Sequence, residues 1–377
     1  MKILIVIGTR PEAIKMIPLV TRLKSEPDFE TKICLTGQHR EMLDQVMNIF
    51  NLHADFDLDV MGKAQRLADV TCRMLHGMDQ LFMQWKPDFI LVQGDTNTVF
   101  AAALAAFYNK IKVGHVEAGL RTGNRYSPWP EETNRMLTAQ LADIHFAPTA
   151  ASRDNLVMEN IRPDSVFVTG NTVIDTLLMS QKIIEADTGM CLDIQNKFNF
   201  IRPNKRMILV TGHRRENFGQ GFTRICRAIA FIAGQYDVDV VYPVHMNPNV
   251  REPVNEILGN HENIHLIEPV DYFSFIYLMQ QSYMILTDSG GVQEEAPSLG
   301  KPVVVMRDTT ERPEAVDAGT VVLAGTDYDE IVKYVSRLLE DEDFYNKMAW
   351  AHNPYGDGMA AERIVKILRE KFICDSK

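Results

Sequence analysis

A chain of 377 residues, 46% of them hydrophobic, is too long for one ordinary core and points to about two domains. Its formal charge of 39 − 50 = −11 speaks against nonspecific attraction to nucleic acid or to an anionic membrane surface, so an anionic ligand would need locally gathered basic residues. Five scattered cysteines (Cys34, Cys72, Cys191, Cys226, Cys374), with no C-x-x-C pair and no His at zinc-finger spacing, signal neither a disulfide framework nor a structural metal and fit a reducing cytosol. The opening apolar run Ile3-Leu4-Ile5-Val6-Ile7 is too short for a signal h-region, and nowhere do about 18 apolar residues run together, so a soluble cytoplasmic protein is expected.

From residue 1 to about 170, short β-branched runs alternate with longer helical patterns: Ile3 to Ile7, Lys32 to Leu35, Phe89 to Val92, Lys112 to Val116, Ile144 to Ala147 and Val166 to Val168. That is the rhythm of an open parallel sheet with helices on both faces. It restarts at Met207 to Val210 and continues through Val238 to Tyr242, Ile264 to Ile267, Met284 to Leu286, Val303 to Met306 and Val321 to Leu323. The expected fold class is α/β, with two Rossmann-like doubly wound domains, 1–170 and 171–359, facing a cleft. The boundary falls near Gly170-Asn171, and the amphipathic segment from about 360 to 377 is expected to pack back on the first domain. Ligands of such sheets bind at the carboxyl ends of the strands, so functional residues are sought there.

The first strand ends in Gly8-Thr9-Arg10-Pro11-Glu12-Ala13-Ile14-Lys15. Pro11 suits the start of a helix, and Arg10 and Lys15 put two cations at a positive helix end, which makes sense if an anion such as a diphosphate sits there; solvation or pairing with Glu12 is the alternative. Asp95 and Glu117 each follow a strand, where they fit either a shared ligand or local roles as caps and ion-pair partners. Glu131 and Arg135 stand at i, i+4 after a Pro-stiffened loop and could form a surface ion pair. In the second half, His213 sits among Arg214 and Arg215 just past a strand and suits a donor to an anionic leaving group, or plain structure. The passage Thr287-Asp288-Ser289-Gly290-Gly291-Val292-Gln293-Glu294-Glu295 reads as a strand turning into a helix. Its glycines permit a positive φ or a close backbone approach, and the free N–H groups and Ser289 suit a phosphate, though a structural tight turn reads the same way. Glu295, one turn in, could accept from a ribose diol, and Arg312, in a charged strand-exit loop, could close over the ligand or stay solvated.

Together these motifs, with Gly37-Gln38-His39-Arg40, Gly114-His115-Val116-Glu117-Ala118-Gly119-Leu120-Arg121, Pro130-Glu131-Glu132, Gly212-His213-Arg214-Arg215-Glu216 and Arg307-Asp308-Thr309-Thr310-Glu311-Arg312-Pro313-Glu314, closely resemble the bacterial non-hydrolysing UDP-N-acetylglucosamine 2-epimerases, end to end. The resemblance implies a GT-B-like fold, a homodimer, and cytoplasmic interconversion of UDP-GlcNAc and UDP-ManNAc for surface polysaccharide synthesis. It implies substrate-binding roles for Arg10, Lys15, Arg135, Ser289, Gly290, Gly291, Glu295 and Arg312, with Phe275 near the uracil, and catalytic roles for Asp95, Glu117, Glu131 and His213. Gln38, Arg214 and His245 match residues that in some members hold a second UDP-GlcNAc as allosteric activator. One departure is Thr96-Asn97-Thr98-Val99, where many relatives carry a run of threonines; Asn97 can still hydrogen-bond.

The chemistry explains the residue types. The C2 hydrogen of UDP-GlcNAc is not α to a carbonyl, so deprotonation alone leaves an unstabilised carbanion. The family eliminates UDP to a 2-acetamidoglucal and adds it back as the proton returns to the other face. This requires acid/base groups around C2 and fixed donors on the diphosphate, and no metal or redox cofactor. Three readings compete: a hydrolysing relative, a glycosyltransferase of the same fold, and a UDP-sugar-binding regulator without turnover. The carboxylates with His213 favour elimination over the last two, and overall resemblance favours the non-hydrolysing subfamily over the first.

Overall fold

Continuous aliphatic runs, rather than alternating ones, form the strands, because each sheet is covered on both faces and its strands are buried on both sides. A computed structural model describes residues 1–37, 40–60, 66–310 and 312–374. The chain folds into two compact units, one made of Met1–Thr176 with Tyr355–Lys377 and the other of Leu177–Pro354.

In unit 1 the strands are β1 (Lys2–Ile7), β2 (Glu30–Leu35), β3 (Phe56–Asp57), β4 (Phe89–Gln93), β5 (Lys112–Val116), β6 (Ile144–Ala147) and β7 (Val166–Val168). They lie parallel in the order β3-β2-β1-β4-β5-β6-β7. The order reverses between β1 and β4, where Ile3 pairs with Phe89 and Ile5 with Leu91. That is the switch point at which doubly wound sheets bind ligands. Gly8 leaves β1 there, and a Cβ on it would fall 2.1 Å from Thr98 Oγ1, so only glycine lets β1 exit past the helix Asn97–Tyr108. The core packs Leu4, Val6, Ile90 and Val92 against Met78, Leu81, Ala102 and Ala106.

Unit 2 repeats the plan with β8 (Arg206–Thr211), β9 (Val238–Pro243), β10 (Ile264–Ile267), β11 (Met284–Thr287), β12 (Val303–Val305) and β13 (Val321–Leu323). They are parallel in the order β10-β9-β8-β11-β12-β13, reversing between β8 and β11. The helix Tyr328–Glu340 buries Ile331, Val335 and Leu338, a stripe at helical spacing, against Ile208, Val210 and Ile229 of the same core.

The helix Ala360–Arg369 belongs to unit 1 and lies against Arg10–Lys24. Its start is held by the Asp175 carboxylate, which accepts the Ala360 N–H at 3.2 Å and the Ala361 N–H at 2.8 Å. Nearby, the Asn171 N–H donates to the Tyr355 carbonyl at 2.7 Å. No helix among the described residues is long and apolar enough to cross a membrane.

Candidate functional site

At the unit 1 switch point the exits of β1, β4 and β5 and the start of the helix Glu131–Leu141 deliver carboxylates and cations. Glu117 follows β5 with φ 62, a left-handed conformation uncommon for a residue with a side chain. Its carboxylate receives the Lys15 ammonium, the Gln93 amide, and the Asn171 Nδ2 at 2.8 Å, so groups from β4, the first helix and the segment after β7 all fix it in place. Asp95 follows β4 and takes the Arg135 guanidinium, Nε to Oδ2 at 2.9 Å. Arg135 is buried and also bonds Glu132 Oε2 at 2.9 Å, while Glu132 Oε1 accepts the Thr122 and Gly123 N–H groups at 3.0 Å each. Asn134 Nδ2 donates to the Asp95 carbonyl at 2.9 Å. The ion pair that i, i+4 spacing allows between Glu131 and Arg135 does not form: Arg135 takes Glu132 and Asp95, and half-buried Glu131 enters none of these bonds. The reason is rotation of the helix Glu131–Leu141, which turns Glu132 inward, 1% exposed.

Two buried groups set the geometry behind these side chains. Glu12 is 2% exposed and accepts from Gly8 N at 2.6 Å, Thr9 Oγ1 at 3.0 Å and Thr96 Oγ1 at 2.8 Å, tying the β1 exit to the β4 exit. Burial outweighs these bonds and pushes its pKa up to about 7. His115 donates from Nε2 to the Gly94 carbonyl at 2.7 Å, and burial drives its pKa down to about 3, so it stays neutral while bracing the residue before Asp95. Arg10 begins the helix Arg10–Lys24 and, among the described residues, has no ion-pair partner, whereas Lys15 is committed to Glu117. Asn97 donates to Thr71 Oγ1 at 2.9 Å, so the departure from a threonine run is absorbed by a neighbouring helix.

At the unit 2 switch point the fully buried Asp288 follows β11, and its Oδ2 accepts the His213 and Arg214 N–H groups at 2.8 Å each and Asn217 Nδ2 at 3.2 Å. The loop after β8 is thereby pinned to the exit of β11. The His213 ring stacks on His245 with centroids 5.1 Å apart and planes 12° from parallel. Burial lowers the His213 pKa, opposed by Asp288 and reinforced by His245 and Arg214. Ser289 caps the short helix Gly290–Glu295 without using its side chain, which leaves the hydroxyl available. Neither Gly290 nor Gly291 has a positive φ, so the left-handed bend allowed for in the sequence is absent. What Gly290 provides is closeness: a Cβ there would lie 2.6 Å from Arg312 Nη1. Arg312 is held by buried Glu294, Nε to Oε1 at 2.7 Å, with its guanidinium against that turn. Glu295 Oε1 accepts from the Tyr272 hydroxyl at 2.9 Å, and Phe275, one turn along the helix Tyr272–Gln281, is partly exposed.

Thus Lys15 with Glu117 and Asp95 with Arg135 are paired in unit 1, where Arg10 and Glu131 each begin a helix, and Arg214, His213, His245, Phe275, Ser289, Gly290, Gly291, Glu295 and Arg312 lie at or near the strand exits of unit 2. Gln38 lies outside the described residues. The sequence assigned no site role to Gln93, Glu132, Asn171 and Asp288, and to Glu12 only that of a partner for the nearby cations; Glu12, Glu132 and Asp288 stand inside quoted motifs, and for Glu12 and Asp288 a carboxylate beside a glycine turn was the available signal. A cavity of about 600 Å³ lined by Lys112, Asp143, His145, Arg162, Lys371 and Phe372 sits at the starts of β5 and β6, away from these groups. Among the described residues no His, Cys, Asp or Glu cluster could hold a metal ion.

The family model described as UDP-N-acetylglucosamine 2-epimerase matches residues 21–369. The UDP-N-acetylglucosamine 2-epimerase of Escherichia coli (strain K12) is 58% identical over 374 residues, 99% of this chain and 100% of that protein. Among solved structures, the UDP-GlcNAc 2-epimerase of Neisseria meningitidis bound to UDP-GlcNAc is 51% identical with a TM-score of 0.93, covering 98% of this chain and 100% of that one. The Methanocaldococcus jannaschii UDP-GlcNAc 2-epimerase in complex with UDP-GlcNAc and UDP is 36% identical with a TM-score of 0.82, again covering 98% and 100%. The two-sheet architecture is that of these GT-B-like epimerases.

Proposed function

This chain belongs to the UDP-N-acetylglucosamine 2-epimerase family, and from that membership we propose that it interconverts UDP-GlcNAc and UDP-ManNAc without hydrolysis. The observation that carries the reading is a pair of carboxylates, Asp95 and Glu117, fixed at the tips of the neighbouring strands β4 and β5 by donors from several elements. In the proposed reaction the C1–O bond breaks with its electron pair leaving on UDP, C2 gives its proton to a carboxylate, and the C1=C2 bond of a 2-acetamidoglucal forms. UDP then adds back at C1 while a proton is delivered to the opposite face of C2. Asp95, Glu117 and Glu131 supply the acid/base groups and stabilise positive charge at C1. His213 donates to the departing diphosphate. Arg10, Lys15, the turn at Ser289, Gly290 and Gly291, and Arg312 hold UDP between the two half-reactions, because preset donors and cations stabilise charge that grows on the leaving group. Glu295 takes the ribose, Phe275 the uracil, and Arg135 holds Asp95 in place.

UDP-GlcNAc is further proposed to act as an activator through Gln38, Arg214 and His245; stacking of His245 on His213 offers a direct path from effector to chemistry. Homodimerisation is proposed through the face that exposes Met83, Phe107 and Tyr108, which are 77%, 58% and 68% exposed. The helices Leu67–Gln84 and Asn97–Tyr108 present these side chains together, since Asn109 Nδ2 bonds Asp79 at 3.0 Å one turn from Met83. Large apolar groups clustered on a surface mark an interface. The pathway is taken to be cytoplasmic supply of surface polysaccharide.

The experiment is incubation with UDP-GlcNAc in D2O followed by NMR. UDP-ManNAc carrying deuterium at C2 is expected, with no acceptor needed. Free ManNAc as the main product would reject the non-hydrolysing assignment, and product without deuterium would reject elimination. Started from UDP-ManNAc alone, conversion should stay slow until UDP-GlcNAc is added; immediate full-rate reversal would reject the effector role.

A further inference from the structure

Asp288 has two oxygens with different fates. Oδ2 is saturated by the His213 and Arg214 N–H groups and Asn217, which explains a buried carboxylate as a staple between the exits of β8 and β11. Oδ1 is equally buried and has no hydrogen-bond partner. An acceptor taken out of water without a donor is costly, so a staple alone leaves half of this side chain unexplained. His213 Nδ1 lies 3.9 Å from that oxygen, just outside hydrogen-bond range. The His213 side chain is 47% exposed, one face of its ring is laid on His245, and its backbone is already held by the same carboxylate. A small turn of the ring, sliding along His245, closes the gap.

We propose that Asp288 is the positioning residue for His213: its free Oδ1 accepts Nδ1–H, which commits Nε2 to proton exchange with the leaving diphosphate. The hydrogen bond made by one ring nitrogen decides which tautomer the other presents. The carboxylate also stabilises the imidazolium that must exist before a proton is donated, against burial, His245 and Arg214, which all disfavour that charge. In the reaction itself Asp288 acts through His213 and needs no contact with substrate. This inference rests on the leaving-group role proposed for His213, and its test separates the two.

The test uses the full-length enzyme with ¹⁵N-labelled histidine, free and saturated with UDP. Neutral His213 should be the Nδ1–H tautomer, most clearly in the UDP complex. In Asp288→Asn the titration of the ring should move to lower pH by about 1 pH unit or more, the size of effect an adjacent opposite charge exerts. The alkaline limb of kcat should move with it, and kcat should fall by ~10-fold or more while the KM for UDP-GlcNAc changes by less than about twofold. Asp288→Asn added to His213→Ala should cost nothing further. A Nε2–H tautomer in the wild-type enzyme with UDP bound, or an unmoved His213 titration in Asp288→Asn, overturns the proposal. The tautomer is read on wild-type protein and decides the matter even if the variant does not fold. Full turnover by His213→Ala would instead remove the leaving-group role while leaving the tautomer result to stand or fall by itself.

Discussion

Glu12→Gln tests how unit 1 handles a buried carboxylate beside its proposed catalytic groups. Glu12 is 2% exposed, and burial raises its pKa from 4.5 to about 7 despite donors from Gly8, Thr9 and Thr96, with Asp95 pushing the same way. The difference, 7 − 4.5 = 2.5, corresponds at 1.36 kcal/mol per unit to about 3 kcal/mol. The sign follows from proton binding: between these values the folded state holds a proton that the unfolded chain has released. The contribution is therefore fully present below about 4.5 and lost as pH rises through about 7. Gln keeps the shape, can accept from the Gly8 N–H, and does not titrate. The stability of wild type minus that of Glu12→Gln should thus fall by about 3 kcal/mol from about pH 4.5 to pH 8, seen as a relative Tm change of about 6–12 °C at ~2–4 °C per kcal/mol for a unit of this size. His115, with a pKa near 3, and Asp175, raised to about 6 by burial, titrate in both proteins and cancel in the difference. Calorimetric melting of both proteins across this range is the assay. A flat difference curve would show that Glu12 ionises as an ordinary surface carboxylate and would refute the reasoning.

Asp95→Asn, Glu117→Gln and Glu131→Gln preserve shape and remove proton-accepting ability, so each should lower kcat by about 10²–10⁴-fold with UDP affinity nearly unchanged in titration calorimetry. Double variants should be little worse than the worse single one if the groups work as a unit; near-native turnover in all three folded variants would make these carboxylates structural. Met83→Asp with Phe107→Asp should halve the sedimenting mass, because a charge in the centre of an apolar interface is left unpaired. An unchanged sedimentation coefficient would reject this face as the proposed interface.

The two parallel sheets were legible in the sequence because strands buried on both faces must be apolar at nearly every position, and Phe89–Gln93 or Met284–Thr287 can be seen as runs without knowing what they pack against. The short strand Phe56–Asp57 was not, since two residues carry no period. Polar residues at strand exits were legible as positions for the same local reason. Their partners were not. Lys15 meets Glu117 across 102 residues, and Asp288 meets His213 across 75, because strand order puts the β1, β4 and β5 exits side by side in one unit and the β8 and β11 exits side by side in the other. Helical spacing pointed Arg135 to Glu131, but which face of that helix turns inward depends on what the sheet offers, and the structure offers Asp95 and a buried Glu132. Gly290 likewise signalled special backbone, and only the position of Arg312 shows that the requirement is space and not a left-handed turn. A local window determines whether a segment wants to be a strand, and it contains no information about the neighbour that arrives from a hundred residues away; the burial of Glu12, and hence its raised pKa, and the burial of Asp288, and hence its half-bonded carboxylate, are decided by that neighbour.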